Sequence, residues 1–145
     1  MKALIQRVQS ANVTVDGDLI GVIDRGLLVF LAVERHDVQE SAVKIAEKLL
    51  GYRVFPDDKD KMNRSVRDIG GDILLISQFT LAADTDSGLR PSFSRAAPPQ
   101  LARDYYQQCL EQLQQSSLHI ASGQFAADMQ VSLINDGPVT FLLSC

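Results

Sequence analysis

The chain has no tryptophan, only two histidines and only two cysteines, and each scarcity removes a class of chemistry. Cys109 and Cys145 are far apart and fit no Cys-x-x-Cys spacing, so both are expected to be reduced thiols. His36 and His119 form no His-x-x-x-His or His-Glu pattern. A zinc or iron site would have to be built almost wholly from carboxylates, and no metal is expected. Asp57-Asp58-Lys59-Asp60 has the look of a calcium loop but lacks the glycine and the closing glutamate that such a loop requires. There is no Gly-x-Gly-x-x-Gly and no Walker-type Gly-Lys-Ser/Thr, so no nucleotide cofactor, and no cofactor of any kind, is expected.

Long apolar runs are missing as well. Nothing approaches the ~20 consecutive apolar residues that span a bilayer, and Met1-Lys2-Ala3-Leu4-Ile5-Gln6-Arg7 meets charge too soon for a signal peptide. The expectation is a soluble, cytoplasmic protein with no membrane partner. A net charge of -4 speaks against binding along DNA or a long RNA backbone, where many Lys/Arg–phosphate contacts must release counterions. Contact with one end of an RNA stays open. The basic residues Lys59, Lys61, Arg64 and Arg67 are interleaved with Asp57, Asp58, Asp60 and Asp68, which fits a solvated loop.

What is present is enough for one compact core: 145 residues, 46% of them apolar, read as a single domain over 1–145. Alternating apolar residues from Ala3 to Val15 end at Asp16-Gly17-Asp18, a hairpin signal, and Leu19 to Asp24 follows as the second strand. Gly26 to Val33 is a continuous apolar run, as expected of a strand buried on both faces. Asp37-Val38-Gln39-Glu40 has capping-box form and starts a helix running from Asp37 to Leu50. Tyr52 to Phe55 is a predicted short strand and Ile73 to Phe79 another buried one. From Ala82 to Pro99 no period is sustained, so a long loop is expected, and loops of that length are commonly functional. Pro98-Pro99 opens a second helix with an apolar stripe of Leu101, Tyr105, Cys109 and Leu113, ending near Gln115. Two last strands, Met129 to Ile134 and Val139 to Leu143, flank Asn135-Asp136-Gly137-Pro138. The fold class is α/β, a mixed and mainly antiparallel sheet with two principal helices. Strand order is not legible.

Two motifs carry possible chemistry. Ser77-Gln78-Phe79-Thr80 is a polar end to a buried strand, but it is not the Gly-x-Ser-x-Gly elbow of a serine hydrolase. His119, between Leu118 and Ile120, reads as a hydrogen-bonded structural residue, and His36 as an exposed one. Gly137-Pro138 stands where a proline inside a sheet would be out of place, so it must be a turn or a shaped loop. Spacing alone favours a strand running into a loop for the first motif and an ordinary trans turn for the second.

At these residues the sequence resembles the D-aminoacyl-tRNA deacylase family. The matching blocks are Ile5-Gln6-Arg7-Val8, Gly26-Leu27-Leu28-Val29, Lys61-Met62-Asn63, Ser77 to Asp84, Arg90-Pro91-Ser92-Phe93, Phe125 to Met129 and Asn135 to Thr140. Ser87 departs from the pattern, since family members often carry Lys or Arg there, and this weakens a phosphate-gripping role for that loop. The resemblance implies a homodimer acting on the 3' end of aminoacylated tRNA, with each Gly137-Pro138 bond cis and inserted into the partner's pocket. The two carbonyls would then face the substrate's chiral carbon and exclude an L-residue's side chain. It further implies backbone N–H groups at Phe79 and Thr80 as the oxyanion site, Ser77 and Gln78 holding the terminal adenosine, and Phe125 and Met129 lining its pocket. Arg7 and Asn135 would support the Gly137-Pro138 loop. Action on many D-aminoacyl esters and on the glycyl ester is expected. Two rival readings are a non-catalytic dimer that holds the tRNA acceptor end or a small metabolite, and a hydrolase that uses the Thr80 hydroxyl covalently.

Overall fold

The computed structural model describes residues 1–86 and 88–145; the departure at Ser87 lies outside the described residues. Strand β1 (Lys2–Val15) turns at Asp16-Gly17, both with positive φ (51° and 87°), into β2 (Asp18–Ile23). Positive φ at both central residues is what a tight two-residue hairpin needs. Strand β3 (Gly26–Ala32) then runs antiparallel to the first half of β1. Helix α1 (Gln39–Gly51) carries the chain across to β6 (Asp72–Ser77), parallel to β3. Between them lies a small antiparallel pair, β4 (Phe55–Pro56) and β5 (Met62–Arg64). Helix α2 (Pro99–Gln114) makes a second crossover to β7 (Ile120–Ser122), parallel to β6. The last strand, β8 (Gln130–Ser144), returns to pair antiparallel along the free edge of β1.

Alternation along the strands sorts the apolar residues into two clusters. Leu27, Val29 and Leu31 of β3, with Ile73 and Leu75 of β6, point to the face covered by both helices and meet Ile45, Leu49, Cys109 and Leu113. Leu28, Leu74 and Ile76 point the other way and meet Val8, Ala11, Val13 and Ile23. In β1, Ala3 and Ile5 serve the helical face whereas Val8, Ala11 and Val13 serve the other, a switch placed at the register shifts around Val8. One inserted residue flips a strand's faces, and the bend lets β2 curl back over β6 and β7. Gly21 marks that approach: a Cβ there would stand 3.1 Å from the Ser122 carbonyl oxygen.

Several local expectations are corrected. Asp37 does not cap α1; its carboxylate accepts from the Met1 ammonium and from the Glu34 N–H at 2.6 Å, so Val38 takes the cap position and Ser41 Oγ accepts from its N–H. The strand predicted over Tyr52 to Phe55 shrinks to Phe55–Pro56, because Val54's carbonyl is taken by Arg7 rather than by a strand partner. The strand predicted to Phe79 stops at Ser77, and Phe79–Ala82 forms a 3-10 turn. On α2 the buried stripe is Tyr106, Cys109, Leu110 and Leu113, so Tyr106, not Tyr105, is the fully packed tyrosine. The two final strands are one strand, whose halves both pair with β1 on either side of an excursion at residues 136–139. No helix among the described residues is long and apolar enough to cross a membrane.

Candidate active site

The parallel pair β3 and β6 ends at a cavity of about 550 Å³. Clefts beyond the carboxyl ends of parallel strands are favoured ligand sites, because the chain leaves the sheet there in different directions and opens a crevice. Phe30, Leu31 and Val33 come from the end of β3, Ile76, Ser77 and Gln78 from the end of β6, and Pro99, Ala102 and Tyr106 from the start of α2. The segment Phe125–Met129 lines a further side. The lining is apolar except for Ser77, Gln78, the Tyr106 phenol and Asp128.

The sequence-predicted residues Ser77, Gln78, Phe79, Phe125 and Met129 all line this cavity. Gln78's backbone N–H extends the β3–β6 ladder by donating to the Leu31 carbonyl at 2.8 Å, which fixes the chain as it turns. Its side-chain amide donates to Thr80 Oγ1. Thr80 itself is exposed and is not part of the cavity lining. Among the described residues, no carbonyl accepts from the backbone N–H of Phe79 or of Thr80, whereas the N–H groups of Leu81 and Ala83 find acceptors at Gln78 and Thr80. The first donors of a helical turn have no partner within it, so two successive N–H groups are left without a backbone acceptor where the chain turns out of the cavity wall at Phe79.

Phe125 is held from two sides. Its ring lies 5.8 Å from that of Tyr106, and the Arg103 guanidinium carbon lies 5.0 Å from its centroid. Tyr106 was missed from sequence, yet it fixes this wall, its buried hydroxyl donating to the Leu75 carbonyl at 2.9 Å. Burial also pushes its phenol well above the ordinary tyrosine range, so it stays a neutral donor. The better helical spacing of 106, 109, 110 and 113 was the available signal. Met129 packs over Gly123, where a Cβ would fall 2.6 Å from its sulfur.

Gly137 and Pro138 are placed elsewhere. They are exposed, do not touch the cavity of their own chain, and are joined by a cis peptide bond. The β1–β8 register runs from Gln6↔Thr140 to Val8↔Asn135, so Arg7 alone faces the four residues Asp136 to Val139. Arg7 fills that gap. Its Nε donates to the Asp136 carbonyl at 2.8 Å and one terminal nitrogen to the Val54 carbonyl at 2.7 Å. Asn135 closes the other side: its Oδ1 accepts from the Val139 N–H at 2.8 Å, and its Nδ2 donates to Thr140 Oγ1 at 3.1 Å. Gly137 has φ +150°, and a Cβ there would stand 2.6 Å from Val139 Cγ2.

The described residues of the loop expected from Ala82 to Pro99 are organised. Asp84 and Ser92 exchange backbone hydrogen bonds at 2.7 and 3.0 Å, Arg95 reaches Asp84 at 2.9 Å, and Phe93 packs at a tilt against Phe79 with centroids 5.1 Å apart. The Asp86 N–H and Arg95 hold the Asp84 carboxyl below its usual range. Neither histidine is at the cavity: His36 is exposed in the turn before α1, and His119 Nε2 lies 3.1 Å from the Val22 carbonyl oxygen.

The model of the family described as D-Tyr-tRNA(Tyr) deacylase matches residues 4–144. A protein of Pseudomonas fluorescens called D-aminoacyl-tRNA deacylase is 61% identical over 143 residues, covering 99% of each chain. The chain belongs to the D-Tyr-tRNA(Tyr) deacylase family. A further deacylase-named relative, from Pectobacterium atrosepticum, is 56% identical with the same coverage. Among solved structures, the c-Myc DNA Unwinding Element Binding Protein is 41% identical and superposes with a TM-score of 0.94, covering 100% of this chain and 99% of that one. A probable eukaryotic D-amino acid tRNA deacylase has a TM-score of 0.88 at 13% identity, with coverage of 99% and 98%, a likeness of fold alone. The α/β fold with a mixed sheet and two helices is thus the deacylase fold.

Proposed function

We propose that this chain hydrolyses the ester bond of D-aminoacyl-tRNA, releasing the D-amino acid and tRNA, as a homodimer whose two sites are each completed by the partner's Gly137 and Pro138. The observation that carries this reading is the pair of open N–H groups at Phe79 and Thr80 beside an apolar cavity of about 550 Å³. Such donors bind the oxyanion that develops when water attacks an ester carbonyl. An aminoacyl ester is already activated, so positioning and oxyanion binding suffice without a histidine base, and the substrate's own 2'-hydroxyl assists the water. Phe125 and Met129 hold the terminal adenosine, the sulfur adapting to the base. Ser77 and Gln78 bind its polar atoms.

Selectivity comes from exclusion. The carbonyl oxygens of Gly137 and Pro138 from the partner form the wall facing the substrate's Cα, where hydrogen fits and an L side chain does not. Arg7 and Asn135 hold that wall in place from behind. The glycyl ester, with no side chain to exclude, is accepted too. The exposed apolar side chains of Leu19 and Val22 on β2 and of Ile134 and Leu142 on β8 offer surface for a second copy. The reaction is cytoplasmic and needs no metal or cofactor.

Matched D- and L-tyrosyl-tRNA test the reading: release of D-tyrosine alone is the expected result, and release of neither, or of both, refutes it. The covalent alternative is tested by Thr80→Ala, which keeps the backbone N–H. Because the hydroxyl lies off the cavity and accepts from Gln78, this variant is expected to keep activity within about threefold, while a true nucleophile would cost orders of magnitude.

A further inference from the structure

Arg103 is a cationic side chain beside this site that the proposed chemistry leaves unused. It is exposed on α2, directly after Ala102 of the cavity wall, and its guanidinium lies over the ring of Phe125, another wall residue. It therefore stands at the rim. Among the described residues Arg103, like several other arginines, pairs with no carboxylate, which leaves its charge available to a ligand. Its neighbour Asp104 is engaged instead by Gln100, at 2.8 Å. Helix stability does not account for the residue: it follows a first turn that carries no acid, near the helix end where a cation gains nothing from the macrodipole.

The cavity itself lacks positive charge. Asp128 is the only charged residue among those lining it, and it would repel an anionic substrate. With a nucleoside ester bound against Phe125 and Met129, the phosphate linking it to the preceding nucleotide would find no cation in the cavity lining and would be best placed at the rim. A guanidinium stacked on a ring keeps its in-plane N–H donors free, and their fork suits phosphate oxygens.

We infer that Arg103 binds the phosphate on the 5' side of the terminal nucleoside, so that the site favours an ester carried on a polynucleotide over the same ester on a free nucleoside. The inference rests on the deacylase reading and deepens it.

The test compares D-tyrosyl-tRNA with 3'-O-D-tyrosyl-adenosine, which has no phosphate, for wild type, Arg103→Leu and Arg103→Lys. For Arg103→Leu, KM on the tRNA ester should rise about tenfold with kcat unchanged, as expected for loss of one charge-assisted contact. On the adenosyl ester the same variant should lose clearly less, at most about twofold, since only its contact with Phe125 is then missing. Arg103→Lys should recover part of the loss, and the salt dependence of kcat/KM on tRNA should be shallower in Arg103→Leu than in wild type. Equal losses on both substrates would overturn the inference, leaving Arg103 as a brace for Phe125. Unchanged kinetics on both would overturn it as well. Wild type inactive on both substrates would refute the deacylase reading itself, independently of Arg103.

Discussion

The cavity and the Gly137–Pro138 excursion are built to the same standard of backbone precision but face opposite circumstances. The cavity is lined by residues of its own chain, with Phe125 set between Tyr106 and Arg103 and Met129 seated over Gly123. The excursion is tied down by Arg7 and Asn135 and yet presents Gly137 and Pro138 to solvent, away from that cavity. Ordering a segment costs conformational entropy, and a surface loop of no consequence gains nothing from two dedicated polar anchors. The contrast teaches how the proposed reading divides the labour: one region is a receptacle, and the other, on that reading, is an insert for the receptacle of another copy.

The harshest way to break the contrast is Gly137→Ala. At φ +150° with Val139 Cγ2 only 2.6 Å from the new Cβ, the excursion must shift, and a shift near 1 Å at a reacting centre costs about 100-fold in kcat/KM. Because the loop is exposed, circular dichroism and melting should stay near wild type. A loss of fold along with activity would mean that the loop is structural. Arg7→Leu comes next. It removes the donors to the Asp136 and Val54 carbonyls together, and a roughly 30-fold fall in kcat/KM is expected from misplacement alone. Arg7→Lys should restore only part, since a lysine cannot span both carbonyls in a fixed fork.

On the receptacle side, Met129→Ala should act on binding rather than chemistry, raising KM about five- to tenfold with kcat nearly unchanged. A fall in kcat with constant KM would move Met129 from the wall to the reacting centre. The smallest effect concerns the helix behind the wall. Burial pushes the Cys109 thiol up to about 12, whereas Cys145 is exposed. The thiol stays protonated and shielded through pH 8, so a thiol reagent should label one cysteine per native chain and two after denaturation. Labelling of Cys109 in the native protein would show that α2 lifts from the sheet.

Much of the fold was legible because it is written in short-range physics. Asp16-Gly17 supplied the positive φ values of the first hairpin, and the unbroken run from Gly26 marked a strand covered on both faces. The α1 boundary was misplaced by two residues because Asp37 makes its hydrogen bonds with Met1 and Glu34, partners that no local pattern reveals. Pro138 was recognised as foreign to a regular strand. That it sits in a four-residue excursion opposite Arg7 depends on β8 pairing with β1, more than a hundred residues earlier in the chain, and such pairings leave no local trace. The site shows the same division. Ser77 to Phe79, Phe125 and Met129 were named from motif resemblance and do meet at one cavity, while Tyr106 and Arg103 enter only through packing of α2.

The most direct measurement of the central claim mixes two inactive variants. Ala102→Trp blocks the cavity but leaves the excursion intact, and Gly137→Ala spoils the excursion but leaves the cavity open. If each cavity is completed by the other copy, random pairing of the two in equal amounts puts half of the dimers in mixed form. One of the two composite sites in each is then whole, giving about a quarter of wild-type D-tyrosyl-tRNA hydrolysis. Activity no greater than the average of the separate variants would contradict the account.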